Sequence, residues 1–441
     1  MPSRLPRIQK PPTSGEAEKI IARDVALMSR SYRRAFPMVV RRVSGSIVED
    51  INGNAYIDFT SGLGTLPIGG NHPEVVKALR EQLEKATSYT LMAAYSEETV
   101  DLAEELSRVA PIRGAVRALF CVSGSEAVDV AIKAMRWHSG KDVILTFIGE
   151  HHGSTAYSAA LADEKTKSLS TKIFDTIYGF GHDCGNCPLE LKPEKCRAKC
   201  LELSRKLVEA VAPEALAAVL FEPIHLQAGL SFPSAHYMES LMKLAKELGG
   251  LAIANELLTA PARVGRWFAL DHWNIKVDAV CLGEQLASGL PLGVLLAREE
   301  LLDLEPGTYE SVAGGSQLSA AAALATLRAI REEGLIERSE RIGRGILKRV
   351  RDTVKGLGLN WRVDGIGMLI GIRVLDERGL GDERLARLLV DECFRVGLLL
   401  WRRGTTILIS PALNIEEELL ESGLEIFEEK ISDLSQLSQA S

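Results

Sequence analysis

The chain has 441 residues, a formal net charge of -7 and a hydrophobic share of 46%, which is enough material for two domains with substantial cores. The acidic balance gives no footing for nucleic acid or an anionic membrane as partner. No stretch approaches the roughly 20 uninterrupted apolar residues of a spanning helix, and MPSRLPRIQKPPTSGEAEK at the start has no signal-peptide apolar core, so a soluble, cytoplasmic protein is expected.

Residues 1–20 are rich in Pro and polar side chains and read as a loosely ordered arm. From Met38 the text becomes extended. VVRRV and SIVED are strand-like, Asn52-Gly53 supplies a hairpin turn, and AYIDF completes an antiparallel meander. A meander this small cannot bury a core alone, so it is expected to join the C-terminal part. NHPEVVKALREQLEKA and SEETVDLAEELSRVA follow as amphipathic helices, the former with Pro73 in its first turn.

From Val116 short apolar strands alternate with helices. ALFCV precedes SGSEAVDVAIKAMRWH, DVILTF precedes EHHGSTAYSAALA, LAAVLFEP precedes YMESLMKLAKELG, and LAIANE and DAVCLG come next. This alternation predicts a mainly parallel sheet covered on both faces. AAAALATLRAIREEGLIERSERIGRGILKRVRDTV reads as a long helix broken near Gly334, and the rest as a smaller strand-and-helix unit. The expected division is an arm at 1–20, a small domain from 21–75 plus 325–441, and a large domain at 76–324. In an open α/β sheet, ligands bind beyond the carboxyl ends of the strands. LAIAN ends at Asn255 and DAVCLG is followed by Glu284, so both residues fall where chemistry is expected.

Seven cysteines are present. Cys121, Cys281 and Cys393 stand alone in apolar text and read as buried small hydrophobes. Cys184, Cys187, Cys196 and Cys200 share an insert at 181–200, spaced C-x2-C then C-x3-C. That spacing suits a tetrahedral thiolate site for zinc, and paired disulfides or free thiols are the competing readings.

Ser123-Gly124-Ser125-Glu126 follows a strand and opens a helix, where unpaired N–H groups and the positive dipole end can hold a phosphate. The plainer reading is a Ser-capped helix with Glu126 favourable in its first turn.

Taken together, the motifs resemble the class III aminotransferases, the ornithine and 4-aminobutyrate aminotransferase group that uses pyridoxal phosphate (PLP). The resemblance runs from Pro37 to about Ile431. It rests on VEDINGNAYIDFTSG with NHPEVVKAL, on SGSEAVDVAIKAMR as the phosphate-cup helix, on His151-His152-Gly153 at an aromatic-His-Gly position, on Phe221-Glu222-Pro223, on GRWFALDHWNIKVDAVCLG with SGLPLG, and on GGSQLSAAAALATL. It implies PLP fold type I: a large domain with a mainly parallel seven-stranded sheet, a smaller α+β domain, and a dimer with shared sites.

The resemblance also assigns roles that this chain does not carry. The Schiff-base lysine falls on Glu284, and a carboxylate cannot form an imine. The aspartate that keeps the pyridine nitrogen protonated falls on Asn255, which carries no negative charge. The glutamine near the ring hydroxyl falls on Leu258, the threonine that crosses the dimer on Val312, the carboxylate-pairing arginine on Leu408, and the asparagine before the cup serine on Val122. What remains is Gly124, Ser125, His151 as a ring-stacking partner, His152-Gly153 and Glu222, with Asn255 a residual cofactor contact. Lys276, before DAVCLG, is placed away from the strand's carboxyl end and is a poor substitute for the missing amine.

The leading expectation is a family member that has lost Schiff-base chemistry and serves as a structural or regulatory subunit, or binds another small ligand. A homodimer, or a heteromer with an active paralogue, follows. The alternative is a divergent PLP- or pyridoxamine phosphate-dependent enzyme acting on an amino acid or amine, with Glu284 as base.

Overall fold

The computed structural model describes residues 5–161, 175–182, 184, 187, 189–226 and 229–439. The chain divides into two compact units, Met1–Pro73 with Glu337–Ser441, and Glu74–Ile336. The first unit begins with α1 (Glu16–Leu27), β1 (Val40–Ser44), β2 (Ile47–Asp50) and β3 (Ala55–Asp58). The second holds α2 (Pro73–Lys85), α3 (Glu97–Val109), β4 (Val116–Cys121), α4 (Gly124–Ser139), β5 (Val143–Phe147), α5 (Ala156–Ala160), β6 (Thr176–Gly179), α6 (Pro193–Cys196), α7 (Lys199–Val211), β7 (Leu216–Phe221), α8 (Ala235–Glu247), β8 (Leu251–Asn255), β9 (Ala279–Leu282), β10 (Gly293–Arg298) and α9 (Gln317–Glu332). The chain then returns to the first unit through α10 (Leu335–Gly356), β11 (Arg362–Ile366), β12 (Leu369–Arg373), α11 (Glu383–Arg395), β13 (Leu398–Leu399), β14 (Trp401–Arg403), β15 (Thr406–Ile409) and α12 (Glu417–Gln439). The expected break near Gly334 separates α9 from α10, with Gly334 at φ +60°.

In the first unit, β1, β2 and β3 form the meander, and β13 extends it by parallel pairing with β3. A second four-stranded sheet has the order β11-β12-β15-β14. Tyr56, on the meander, stacks on Phe394 of α11 with ring centroids 5.4 Å apart, which shows how the strands obtain the core they cannot build alone. The expectation of a loosely ordered arm is corrected from Arg7 onward. Arg7 and Ala55 exchange two backbone hydrogen bonds of 2.9 and 2.8 Å, and Asn54 Oδ1 accepts from Gln9 N and Lys10 N at 2.7 and 3.1 Å. Asn54 is itself held by the buried Asp50, whose Oδ2 accepts from Asn54 Nδ2 at 2.7 Å. Backbone hydrogen bonding to a rigid hairpin outweighs a polar, Pro-rich composition.

The second unit is built on a seven-stranded sheet of order β4-β10-β9-β8-β7-β5-β6. Only β10 runs antiparallel to its neighbours, β4 and β9; the other pairings are parallel. Helix α4 lies on this sheet. Its buried face, with Ala127, Val128, Ala131, Ile132 and Met135, packs with Ile144, Ala218, Leu220 and Ile253 from β5, β7 and β8. The helix starts at Ser123, whose Oγ accepts from Glu126 N at 3.2 Å, and stops at Gly140 in the left-handed region. This packing sets the N-terminus of α4 at the sheet's carboxyl edge. No helix among the described residues is long and apolar enough to cross a membrane.

Candidate functional site

The parallel strands β5, β7, β8 and β9 end in His151-His152, Glu222, Asn255 and Glu284 respectively, or within a few residues of them. The head of α4 completes the set. The structure therefore brings Gly124, Ser125, His151, Asn255 and Glu284 to one edge of one sheet.

Asn255 is the last residue of β8, 5% exposed, and every polar atom of its side chain is engaged. Its Nδ2 donates to the His151 carbonyl at 2.9 Å and lies 3.0 Å from His152 Nδ1, while its Oδ1 accepts from Leu257 N at 3.1 Å. Because Oδ1 is fixed by the Leu257 N–H, Nδ2 must be the donor to His152, whose Nδ1 therefore carries no proton. His152 Nε2 holds the ring proton and faces Thr146 Oγ1 at 2.8 Å and Glu150 Oε2 at 3.4 Å. His152 is fully buried and its value is lowered to about 3, first by burial and then by the charges of His151 and His225. The imidazole is a neutral, buried link. The geometry is that of a core histidine.

Glu284 stands just after β9, half-buried, opening a short 3-10 turn. Its Oε1 accepts from Gly124 N at 3.4 Å, a long contact across 160 positions of chain. Leu257 lies over the same spot. A Cβ on Gly124 would come within 2.4 Å of Leu257 Cδ2, so the glycine is what lets Leu257 settle on the helix end. Ser125 is turned elsewhere, its Oγ accepting from Ser154 N at 3.1 Å. Gly153, at φ +140°, allows this approach, since a Cβ there would lie 2.6 Å from Ser125 Oγ. Glu126 belongs to the cap: its Oε2 accepts from Val122 N at 2.8 Å, and Tyr309 donates its hydroxyl proton to Oε1.

The other sequence candidates fall in several places. Leu258 is half-buried beside Leu257, and Val312 is 71% exposed. Leu408 lies on β15 of the first unit, fully buried, opposite Gly371 and Trp401. Lys276 is exposed and precedes the amino end of β9, as its register suggests.

Among the described residues no three His, Cys, Asp or Glu side chains converge to hold a metal, so the structure lends the zinc reading of the insert no support. Cys196 ends α6, Arg197 and Ala198 take left-handed conformations, and Cys200 is buried on α7 while Cys184 stays exposed. Burial, together with the neighbouring Cys196 and Cys184, pushes the Cys200 thiol up to about 12.

Three groups at this edge went unnoticed or unused in the sequence. Glu150 is buried and held well above the usual carboxyl range by burial and then by Glu222. Gln285 donates through Nε2 to the carbonyls of Leu257 and Ala260, the latter at 2.7 Å, pinning the loop after β8 to the loop after β9. Glu256 is fully buried and accepts from Ala269 N and Leu270 N at 3.0 Å each, with Thr259 donating its hydroxyl proton. Burial raises its carboxyl to about 7 against those hydrogen bonds. Only Glu256 carried a signal, as an acid at a strand end.

This sheet order, with a helix that starts at the carboxyl end of β4 and runs back over the sheet, is an architecture shared with the PLP-dependent transaminases. A thermostable omega transaminase from Pseudomonas jessenii superimposes with a TM-score of 0.88 at 22% identity, covering 96% of this chain and 99% of that one. The chain belongs to the aminotransferase class-III family, whose model matches residues 27–431. It is 31% identical to an alanine/serine racemase of Pyrococcus horikoshii, over 97% of this chain and 93% of that protein. It is also 31% identical to an acetylornithine aminotransferase of Archaeoglobus fulgidus, over 92% of this chain and 98% of that protein. The family implies PLP as cofactor.

Proposed function

We propose that this chain is a class III aminotransferase homologue without Schiff-base chemistry, acting as a structural or regulatory subunit or as a binder of a different small ligand. The observation that carries the reading is Glu284. The resemblance puts the family's lysine position on this residue, a carboxylate turned toward the N–H of Gly124 at the head of α4. It has no nitrogen with which to form an imine. Asn255 supports the same reading: both its N–H groups are engaged by His151 and His152, so neither is left to donate to a ring nitrogen. Leu257, seated on Gly124, adds an apolar side chain where a phosphate would need room and donors. These residues do not fit a covalently held PLP, and no catalytic step is assigned through it.

A second copy of the chain, or an active paralogue, is the proposed partner. Tyr89, Met92, Tyr95 and Val312 are large apolar side chains exposed by 61%, 49%, 100% and 71%. The segment bearing the first two is held in place by two hydrogen bonds between Tyr89 and Gln317, of 2.7 and 2.9 Å. Apolar groups held rigidly at the surface suit an assembly interface.

The relatives keep one enzymatic reading open, since those named above are a racemase and an aminotransferase. It is a divergent PLP- or pyridoxamine phosphate-dependent enzyme acting on an amino acid or amine, with Glu284 moving a proton. Incubation with PLP, borohydride reduction and intact-mass measurement separates the two. No covalent adduct is expected, and a lysine-linked adduct sinks the leading reading. Turnover of any amino acid that survives Glu284→Ala removes Glu284 as proton carrier.

A further inference from the structure

The N-terminus of a sixteen-residue helix at the carboxyl edge of a parallel sheet is a ready place for an anion. In this chain several of the groups that would serve a phosphate already have partners. The Gly124 N–H points to Glu284 Oε1 at 3.4 Å, and the N–H groups of Glu126 and Ala127 go to Ser123 Oγ and Ser123 O. The Val122 N–H goes to the Glu126 carboxylate, and the Ser125 hydroxyl accepts from Ser154 N. Two carboxylates, Glu284 and Glu126, thus stand at the helix head, and Leu257 lies across Gly124.

Resting on the reading that no Schiff base forms here, we infer that Glu284 is the cup's own anion and that it keeps phosphorylated ligands out. A tethered carboxylate needs no encounter from solution, so it competes at a high effective concentration. A phosphate arriving beside it meets like charge at a few Å, where water screens poorly. Glu284 is suited to this role by its place. It begins the turn after β9, so the backbone starts its side chain beside the head of α4. Gln285, the next residue, holds that turn against the loop after β8 through the Leu257 and Ala260 carbonyls. The same residue that removes the amine fills the phosphate position.

The test uses the full-length protein and inorganic phosphate as probe, followed by calorimetric titration or phosphorus NMR. The wild type is expected to show no saturable binding in the millimolar range, and Glu284→Gln and Glu284→Ala to bind phosphate on the order of tenfold more tightly than it does. Gln keeps the shape and loses the charge, while Ala loses both. Thermal unfolding confirms that each variant is folded. Equal phosphate affinity in all three proteins overturns the inference. Saturable binding to the wild type overturns it even without the variants. Borohydride trapping on the same preparations keeps the two claims apart. A variant that gains nothing while the wild type carries no adduct defeats the inference alone. A wild-type adduct beside a clear gain in the variants defeats the earlier reading alone.

Discussion

The ends of β8 and β9 lie side by side in the sheet, Asn255 in register with Cys281, and on the proposed reading each departs from what the family would place there. They depart in different ways. Around Asn255 the neighbours fit an amide: one carbonyl and one bare imidazole nitrogen accept, and one backbone N–H donates. Around Glu284 there is a single long contact to Gly124 and a half-open position. A buried polar residue with every partner in place is hard to exchange, because any change leaves a partner unsatisfied. A half-buried carboxylate with one long hydrogen bond is replaceable. The first site belongs to the fold, and the second to the chemistry.

The sharpest way to break this comparison is Asn255→Asp. A carboxylate oxygen would face the His151 carbonyl, and the second would press a charge into a buried site. The expected loss is about 3 kcal/mol of unfolding free energy, measured by urea denaturation. A variant as stable as the wild type would show that His152 readily takes a proton, and the distinction between the two strand ends would collapse.

Next in size is the pH dependence carried by Glu256, the neighbour of Asn255. Burial raises its folded-state value from 4.5 to about 7, so the folded chain holds the proton more tightly than the unfolded chain does. The resulting stability is full below pH 4.5 and is lost as pH rises through about 7, on the order of 3 kcal/mol across that window. Glu256→Gln, which titrates nothing, is expected to lack this component. Denaturation midpoints at several pH values, compared between the two proteins, check it. Identical profiles would mean that Glu256 shares its proton with no such constraint.

The smallest expected effect is on the other strand end. Glu284→Ala should change unfolding free energy by less than about 1 kcal/mol, because the contact it removes is long and half-exposed. A loss of several kcal/mol in the same urea titration would place Glu284 beside Asn255 among the residues the fold depends on. Glu284→Lys extends the comparison. It returns an amine to the position but leaves Asn255 unable to hold a ring proton, so transamination with added PLP is expected to stay undetected in a coupled assay. Robust turnover from that single change would show that the end of β9 alone had decided the chemistry.

The architecture was legible in the sequence because it is written in short-range patterns. Strand–helix alternation from Val116, the Asn52-Gly53 turn and the Gly334 break each depend on a few adjacent residues, and each appears in the structure. The residues that the resemblance places at the site, Glu284 and Asn255 among them, were legible as single letters. Their partners were not. Glu284 meets Gly124 across 160 residues and Asn255 meets His152 across 103, and nothing local announces either contact. The cysteine spacing does not announce how the chain turns there, with two left-handed residues, Arg197 and Ala198, between Cys196 and Cys200. The arm misled because composition does not reveal that Asn54 stands ready to hold it.

The saturated side chain of Asn255 has a consequence for descent. On the proposed reading, a chain wired this way does not gain the family's reaction by a single substitution. Restoring the aspartate first sets an oxygen against the His151 carbonyl, and restoring the lysine first leaves an amine beside a ring that nothing keeps protonated. Neither half-step restores the reaction alone, and the first also costs stability. The hydrogen bonds of Asn255, more than the half-open position of Glu284, set the distance between this site and the family's chemistry.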